Sequence, residues 1–195
     1  MAFAESDPGQ AAVLAASVKI LIAGGFGVGK STMVATISEV APLRTEETIT
    51  ELSAGVDDLS GVESKRTTTV ALDFGRITID DTLVLYLFGT PGQNRFWFLW
   101  DELSRGALGA VVIVDTRRLE DSFAAVDYFE RRGIAFTVAV NQFDGAPTYS
   151  AAEVRDALDL DEYRPIVFCD VRERISCKTV LMALLEHLID HTVSR

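Results

Sequence analysis

The sequence predicts an α/β fold in which a mixed, mostly parallel sheet of six strands carries helices on both faces. Three observations predict it. Apolar, β-branched runs alternate with helix-period segments along the 195 residues, the pattern of a sheet layered between crossover helices. One pair of runs is joined only by Asp80-Asp81, a tight-turn signal that makes this pair antiparallel while helix-linked strands run parallel. A glycine-rich stretch, IAGGFGVGKSTM from Ile22 to Met33, follows the first run and precedes the first helical segment.

In chain order, residues 1–16 read as a flexible tail and residues 17–195 as one domain. The strand candidates are VKILIA, TTVALDFGRITI, TLVLYLF, AVVIVD, FTVAVN and PIVFCD. Residues 41–66 are acidic, glycine-punctuated and longer than most loops inside a compact domain, which marks a functional lid or an insertion. A short strand at TITEL fits within them, and the segment is expected to be mobile until a ligand orders it. In NRFWFLWDELSRGALG a helical wheel puts Phe96, Leu99, Trp100, Leu103 and Ala107 on one face, packed against the sheet. Phe98 then stands among Asp101, Glu102 and Arg105 with Trp97 at its flank, an aromatic anchor for a protein partner. Ser150 followed by Glu153 is a capping-box pattern that starts a short helix at AAEVRDAL. In the last segment Ile175, Val180, Leu181, Leu184, Leu185, Leu188 and Ile189 recur at helical spacing as a sheet-facing stripe.

Composition narrows the function. With 18 Lys+Arg against 29 Asp+Glu, the formal net charge of -11 opposes binding to nucleic acid or anionic lipid, and no basic block offsets it. The two cysteines, Cys169 and Cys177, have neither metal-ligand nor redox spacing and read as ordinary thiols of a reducing compartment. No run of about 18 apolar residues occurs, and MAFAESDPGQ lacks the basic region of a signal peptide. A cytoplasmic protein without direct membrane insertion is expected.

The glycine-rich stretch matches G-x-x-x-x-G-K-[ST] through Gly24 and Gly29-Lys30-Ser31, between a strand and a helix as the pattern requires. In such a loop, backbone N–H groups turn inward around phosphates and the helix N-terminus adds positive potential. Lys30 reaches the outer phosphates, and the Ser31 hydroxyl ligates Mg²⁺. Gly24, Gly27, Val28, Gly29, Lys30, Ser31 and Thr32 are the expected contacts of a nucleoside triphosphate. The fifth run ends in VNQFDG, where Asn141 and Asp144 have the spacing of an N-K-x-D guanine motif. The carboxylate accepts from guanine N1–H and the exocyclic amine, a donor pair that adenine lacks. Gln142 stands in place of the lysine. An ATP-dependent kinase or transporter would require Asn141 and Asp144 to be coincidental.

LYLFGTPGQNRF and RTTTVALDFG make the likeness specific. Gly92 and Gln93 match the third GTPase motif, and the threonines before Asp73-Phe74 look like a switch-one pattern. From about Val18 to Thr192 the chain resembles a Ras-like small GTPase, a P-loop NTPase G domain. Its Thr-Pro-Gly-Gln form is similar to the bacterial gliding-motility GTPases and, closer still, to the actinobacterial conservon GTPases. The resemblance implies a switch operated by GTP and GDP, with roadblock-type and sensor-kinase-like partners, peripheral to the membrane. By the same resemblance Thr69 closes over Mg²⁺, with Thr67 and Thr68 as alternatives, Gly92 senses the terminal phosphate, and Gln93 orients the attacking water. Asp170 and Val171 occupy the place where a backbone N–H meets the guanine carbonyl.

Two departures bear on mechanism. Gly89 replaces the usual metal-site aspartate, which predicts weak Mg²⁺ binding. Phe26 takes a loop position that is usually glycine, beside the path of Gln93, which predicts slow hydrolysis. Two classes therefore stand: a GTP-binding switch with low GTPase activity, and a guanine-nucleotide scaffold that does not turn over.

Overall fold

The computed structural model describes residues 15–41, 43–50, 67–92 and 97–193. β1 (Ala16–Ala23) is buried and apolar on both faces over its second half, Ile20 to Ala23. Ile20 and Ile22 enter one core and Leu21 and Ala23 the other, as alternation demands of a strand covered by helices on each side. Ala16, assigned to the tail by the sequence, is already paired: its N–H donates to the Thr82 carbonyl at 2.6 Å. α1 (Lys30–Ile37) follows the glycine-rich loop. β2 (Leu43–Thr50), β3 (Thr67–Asp80) and β4 (Leu83–Gly89) are joined antiparallel, β3 to β4 across the Asp80-Asp81 turn. Asp80 closes that turn by accepting from both the Thr82 N–H and its hydroxyl at 2.7 Å.

The chain continues through α2 (Trp97–Ser104), β5 (Ala107–Val114), α3 (Phe123–Arg132), β6 (Phe136–Asn141), α4 (Ala151–Ala157), β7 (Ile166–Cys169) and α5 (Arg174–Val193). Strand order is β2-β3-β4-β1-β5-β6-β7, with β4, β1, β5, β6 and β7 mutually parallel. The expected mixed, mostly parallel sheet is present. Its seventh strand, β2, lies inside the 41–66 segment, beginning upstream of TITEL and ending within it.

One core lies between the sheet and α1 and α5, built on Ile20, Ile22, Met33, Ile113 and Leu184. The other, opposite, is built on Leu21, Trp100, Val112, Phe129 and Phe136. Trp100 packs edge-on to Tyr128 at 5.1 Å, and its indole N–H donates to the Pro91 carbonyl at 3.1 Å, tying α2 to the end of β4. The wheel drawn for α2 holds at Trp100 and Leu103, but Ala107 begins β5 because Gly106, at φ 71, turns the chain out of the helix. Phe96 and the side chains of Trp97 and Phe98 lie outside the described residues, so the aromatic anchor stays a sequence expectation. On α5 Val180, Leu181 and Leu184 are buried, whereas Ile175 and Ile189 are 81% and 62% exposed. Their places in the expected stripe belong to the edge of the helix, and Cys177 fills the core instead. The α4 capping box is complete: the Glu153 N–H donates to Ser150 Oγ at 3.2 Å and the Ser150 N–H to Glu153 Oε2 at 2.8 Å. Cys169 and Cys177 are both free and buried, and burial pushes their thiols up to about 12 and about 11.

Candidate nucleotide site

β1, β4, β5, β6 and β7 all end at the same edge of the sheet, and the order reverses about β1, whose neighbours are β4 and β5. A crevice at the carboxyl ends of strands beside such a reversal is where open α/β sheets take ligands. The glycine-rich loop opens there.

Gly29 caps α1 at φ 110, a conformation that side chains resist. A Cβ on it would meet Val171 Cγ2 at 2.8 Å and Asn141 Nδ2 at 3.0 Å. The loop, the β6 end and the turn after β7 therefore converge on one glycine. Asn141 is buried and bridges them: its amide donates to the Val28 carbonyl at 3.0 Å and its carbonyl accepts from the Val171 N–H at 3.2 Å.

Lys30 is folded into the loop, donating to the Gly24 and Gly25 carbonyls at 3.0 and 2.6 Å. Burial lowers its ammonium to about 8, with the nearby Asp73 carboxylate opposing that shift. A Cβ on Gly92 would lie 2.5 Å from Lys30 Nζ, so this glycine rests against the lysine. Gly24, Gly27, Val28, Gly29, Lys30, Ser31 and Gly92 thus occupy one locus, with Thr32 the third residue of α1. Gln93 lies outside the described residues.

The group the sequence reading missed is Asp73. It is 9% exposed on β3, and Ser31 Oγ donates to its Oδ2 at 2.5 Å. A Cβ on Gly89 would come within 3.0 Å of Asp73 Cβ and 3.1 Å of Oδ2. The Asp73 carboxylate, on the strand paired beside β4, thus stands in the space a Gly89 side chain would take. The available signal was a lone acid inside the strand pattern TTTVALDFG. A serine hydroxyl backed by a buried carboxylate is a donor set suited to Mg²⁺. Thr69 lies four residues earlier on β3, paired opposite Thr48, so its backbone is about 13 Å from that of Asp73 along the strand. Its side chain lies outside the described residues, as do those of Thr67 and Thr68.

A second missed group is Arg118, in the loop after β5. It donates to the Phe26 carbonyl at 2.9 Å and pairs with Asp121 at 3.5 Å, buttressing the loop from outside. Phe26 itself is 64% exposed. On the base side, Asp144 is also exposed. Its carboxylate receives both terminal nitrogens of Arg172, each at 3.2 Å, and this pairing holds it below the usual carboxylate range. Arg117, clamped on buried Asp115, stacks over Phe143 at 3.9 Å and steadies the same turn.

These features define a P-loop nucleotide-binding protein of G-domain architecture. Among solved structures, the G domain of the T. maritima FeoB iron transporter matches with a TM-score of 0.61 at 18% identity, over 88% of this chain and 99% of that one. The cytosolic domain of the same transporter in apo form gives 0.63 at 17%, over 89% and 64%. An uncharacterized protein of Methanocaldococcus jannaschii is 28% identical over 129 residues, 65% of this chain and 71% of that protein. The Ras-related protein RABC2a of Arabidopsis thaliana is 31% identical over 114 residues, 57% of this chain and 44% of its own length. The family model described as "conserved hypothetical ATP binding protein" matches residues 22–191, and the chain belongs to that family.

Proposed function

We propose that the protein binds GTP and GDP with Mg²⁺ and acts as a slowly hydrolysing molecular switch read by protein partners. The observation that carries this reading is the convergence at Gly29 of the phosphate loop, Asn141 and Val171, with Asp144 three residues beyond Asn141. A ligand on the loop would bring its outer phosphates to Lys30 and its base to the Asp144 carboxylate. Phosphate oxygens replace the Gly24 and Gly25 carbonyls as partners of the Lys30 ammonium, a charge-assisted exchange that favours the bound state. Ser31, backed by Asp73, and Thr69 after a rearrangement of β3, face the metal. Mg²⁺, when bound, neutralises charge on the phosphate oxygens. The Gly92 N–H senses the terminal phosphate and Gln93 orients water.

The Ras-like resemblance, and within it the gliding-motility and conservon groups, supports switch behaviour with roadblock-type and sensor-kinase-like partners. It also supports a cytoplasmic protein held at the membrane by those partners. Among the described residues no helix is long and apolar enough to cross a membrane. An adenine nucleotide is the second reading, favoured by the family description. A guanine-nucleotide scaffold without turnover is the third, favoured by Gly89.

Nucleotide analysis of the purified protein, followed by single-turnover hydrolysis with Mg²⁺ varied, separates the three. Bound GDP and slow, Mg²⁺-dependent phosphate release support the switch. GTP retained without release supports the scaffold, and ADP or ATP overturns the guanine reading.

A further inference from the structure

The Asp144 carboxylate does not face empty solvent. Arg172 NH1 donates to its Oδ2 and NH2 to its Oδ1, both at 3.2 Å, a fork on two oxygens. The same guanidinium is anchored on its other edge. Nε donates to Asp170 Oδ1 at 2.9 Å and NH2 to Asp170 Oδ2 at 2.7 Å, while the Arg172 backbone N–H donates to Oδ1 at 2.9 Å. Asp170 is itself fixed at the start of α5, its N–H donating to Ser176 Oγ at 2.9 Å.

Two parallel N–H donors on a planar N–C–N unit are also what guanine presents through N1–H and its exocyclic amine. The NH1/NH2 edge of a guanidinium satisfies a carboxylate by the same geometry. From this we infer that Arg172 is a built-in competitor of the base: it occupies the guanine-recognising carboxylate while the site is free, and it must leave Asp144 before guanine can enter. The inference rests on the guanine reading given above.

The two anchors differ, and that difference makes the device reversible. Asp170 is the more buried partner, its side chain 24% exposed against 87% for Asp144. Arg172 can therefore release Asp144 while its Nε edge keeps Asp170, so the side chain swings on a tether and stays at the mouth of the site. The barrier is modest, because exposed ion pairs contribute little. A bidentate pair inside a small network stands near the upper end of that range, a factor of about five in population. Only the fraction of molecules with Asp144 free accepts the base, so the apparent association constant falls by that fraction. The cost falls on entry of the base, whereas the buried phosphate loop is untouched.

Arg172→Lys separates this role from plain charge. Lysine keeps the positive charge beside Asp144 and Asp170 but cannot fork a carboxylate. The experiment is stopped-flow association of ribose-labelled GDP, with ribose-labelled ADP in parallel, on wild type, Arg172→Lys, Asp144→Asn and the double variant, each checked by thermal melting. The expected result is an association rate for labelled GDP about fivefold faster in Arg172→Lys than in wild type. In the Asp144→Asn background the Arg172→Lys change should leave the rate unaltered, because the fork is already lost. A rate unchanged or slower in Arg172→Lys with Asp144 intact overturns the competitor. Wild type that takes up labelled ADP as readily as GDP overturns the guanine reading instead, whatever Arg172 does.

Discussion

The phosphate end and the base end of the site are held by different means. At the phosphate end the geometry is set by backbone and burial: Gly29 at φ 110, Lys30 folded into the loop, and Ser31 on the buried Asp73. At the other end Asn141 and Val171 are buried, but the Asp144 carboxylate is exposed and held by Arg172. Buried, over-determined groups act as an all-or-none frame, because an unpaired buried charge is costly. Exposed groups tied by ion pairs change partners readily. The phosphate end should therefore carry affinity, and the base end selectivity and exchange.

The largest expected effect lies at the frame. Lys30→Ala should lose nucleotide triphosphate binding by about 100-fold or more, because the outer phosphates lose a fixed counter-charge. Equilibrium titration with a labelled GTP analogue checks it, and retained affinity would break the division of labour. At the base end Asp144→Ala should lower GDP affinity by about tenfold to 100-fold while leaving ADP affinity unchanged. An equal loss for both nucleotides would mean that Asp144 supports the fold.

The pH response sharpens the same contrast. In the free protein the Lys30 ammonium titrates at about 8, and a bound polyphosphate returns it toward the ordinary lysine range. Above pH 8 the bound state therefore holds a proton that the free state lacks. Affinity is full below that pH and falls as pH rises through it, by up to about tenfold per unit. Calorimetry in buffers of different ionisation heat should show proton uptake on binding at pH 8.5 and almost none at pH 7. The smallest effect belongs to Phe26. Its exposure predicts that Phe26→Gly changes the melting temperature little, while a higher single-turnover rate is expected if the ring stands in the path of Gln93. An unchanged or lower rate removes the steric explanation.

Legibility in the sequence followed the same line. The alternating runs, the Asp80-Asp81 turn and the Ser150–Glu153 cap are local signals, and the structure carries all three. The glycine-rich stretch from Gly24 to Ser31 was legible because it is one contiguous backbone motif, and Asn141 because its spacing to Asp144 is local; the structure sets Asn141 and Val171 against that loop. Asp73 was not, since it reaches Ser31 only when α1 packs against β3, a contact between residues 42 apart in sequence. Arg118 and Arg172 were hidden for the same reason: their partners Phe26 and Asp144 are distant in sequence. Ile175 and Ile189 were misread because helical spacing marks an apolar face without telling how far the sheet extends beneath it.

The central claim is that Asp73, reaching across from β3, does the work of a carboxylate absent at Gly89. It is tested most directly by moving that carboxylate back. GDP dissociation should be measured against Mg²⁺ concentration for wild type, Asp73→Ala, Gly89→Asp and the exchanged pair Asp73→Ala with Gly89→Asp. Asp73→Ala should weaken the Mg²⁺ response by about tenfold or more with metal-free dissociation little changed. Gly89→Asp alone should also be impaired, because its side chain meets Asp73 at 3.0 Å. The exchanged pair should recover the wild-type Mg²⁺ response. An Asp73→Ala protein with the same Mg²⁺ dependence as wild type, or an exchanged pair no better than Asp73→Ala, would contradict the account.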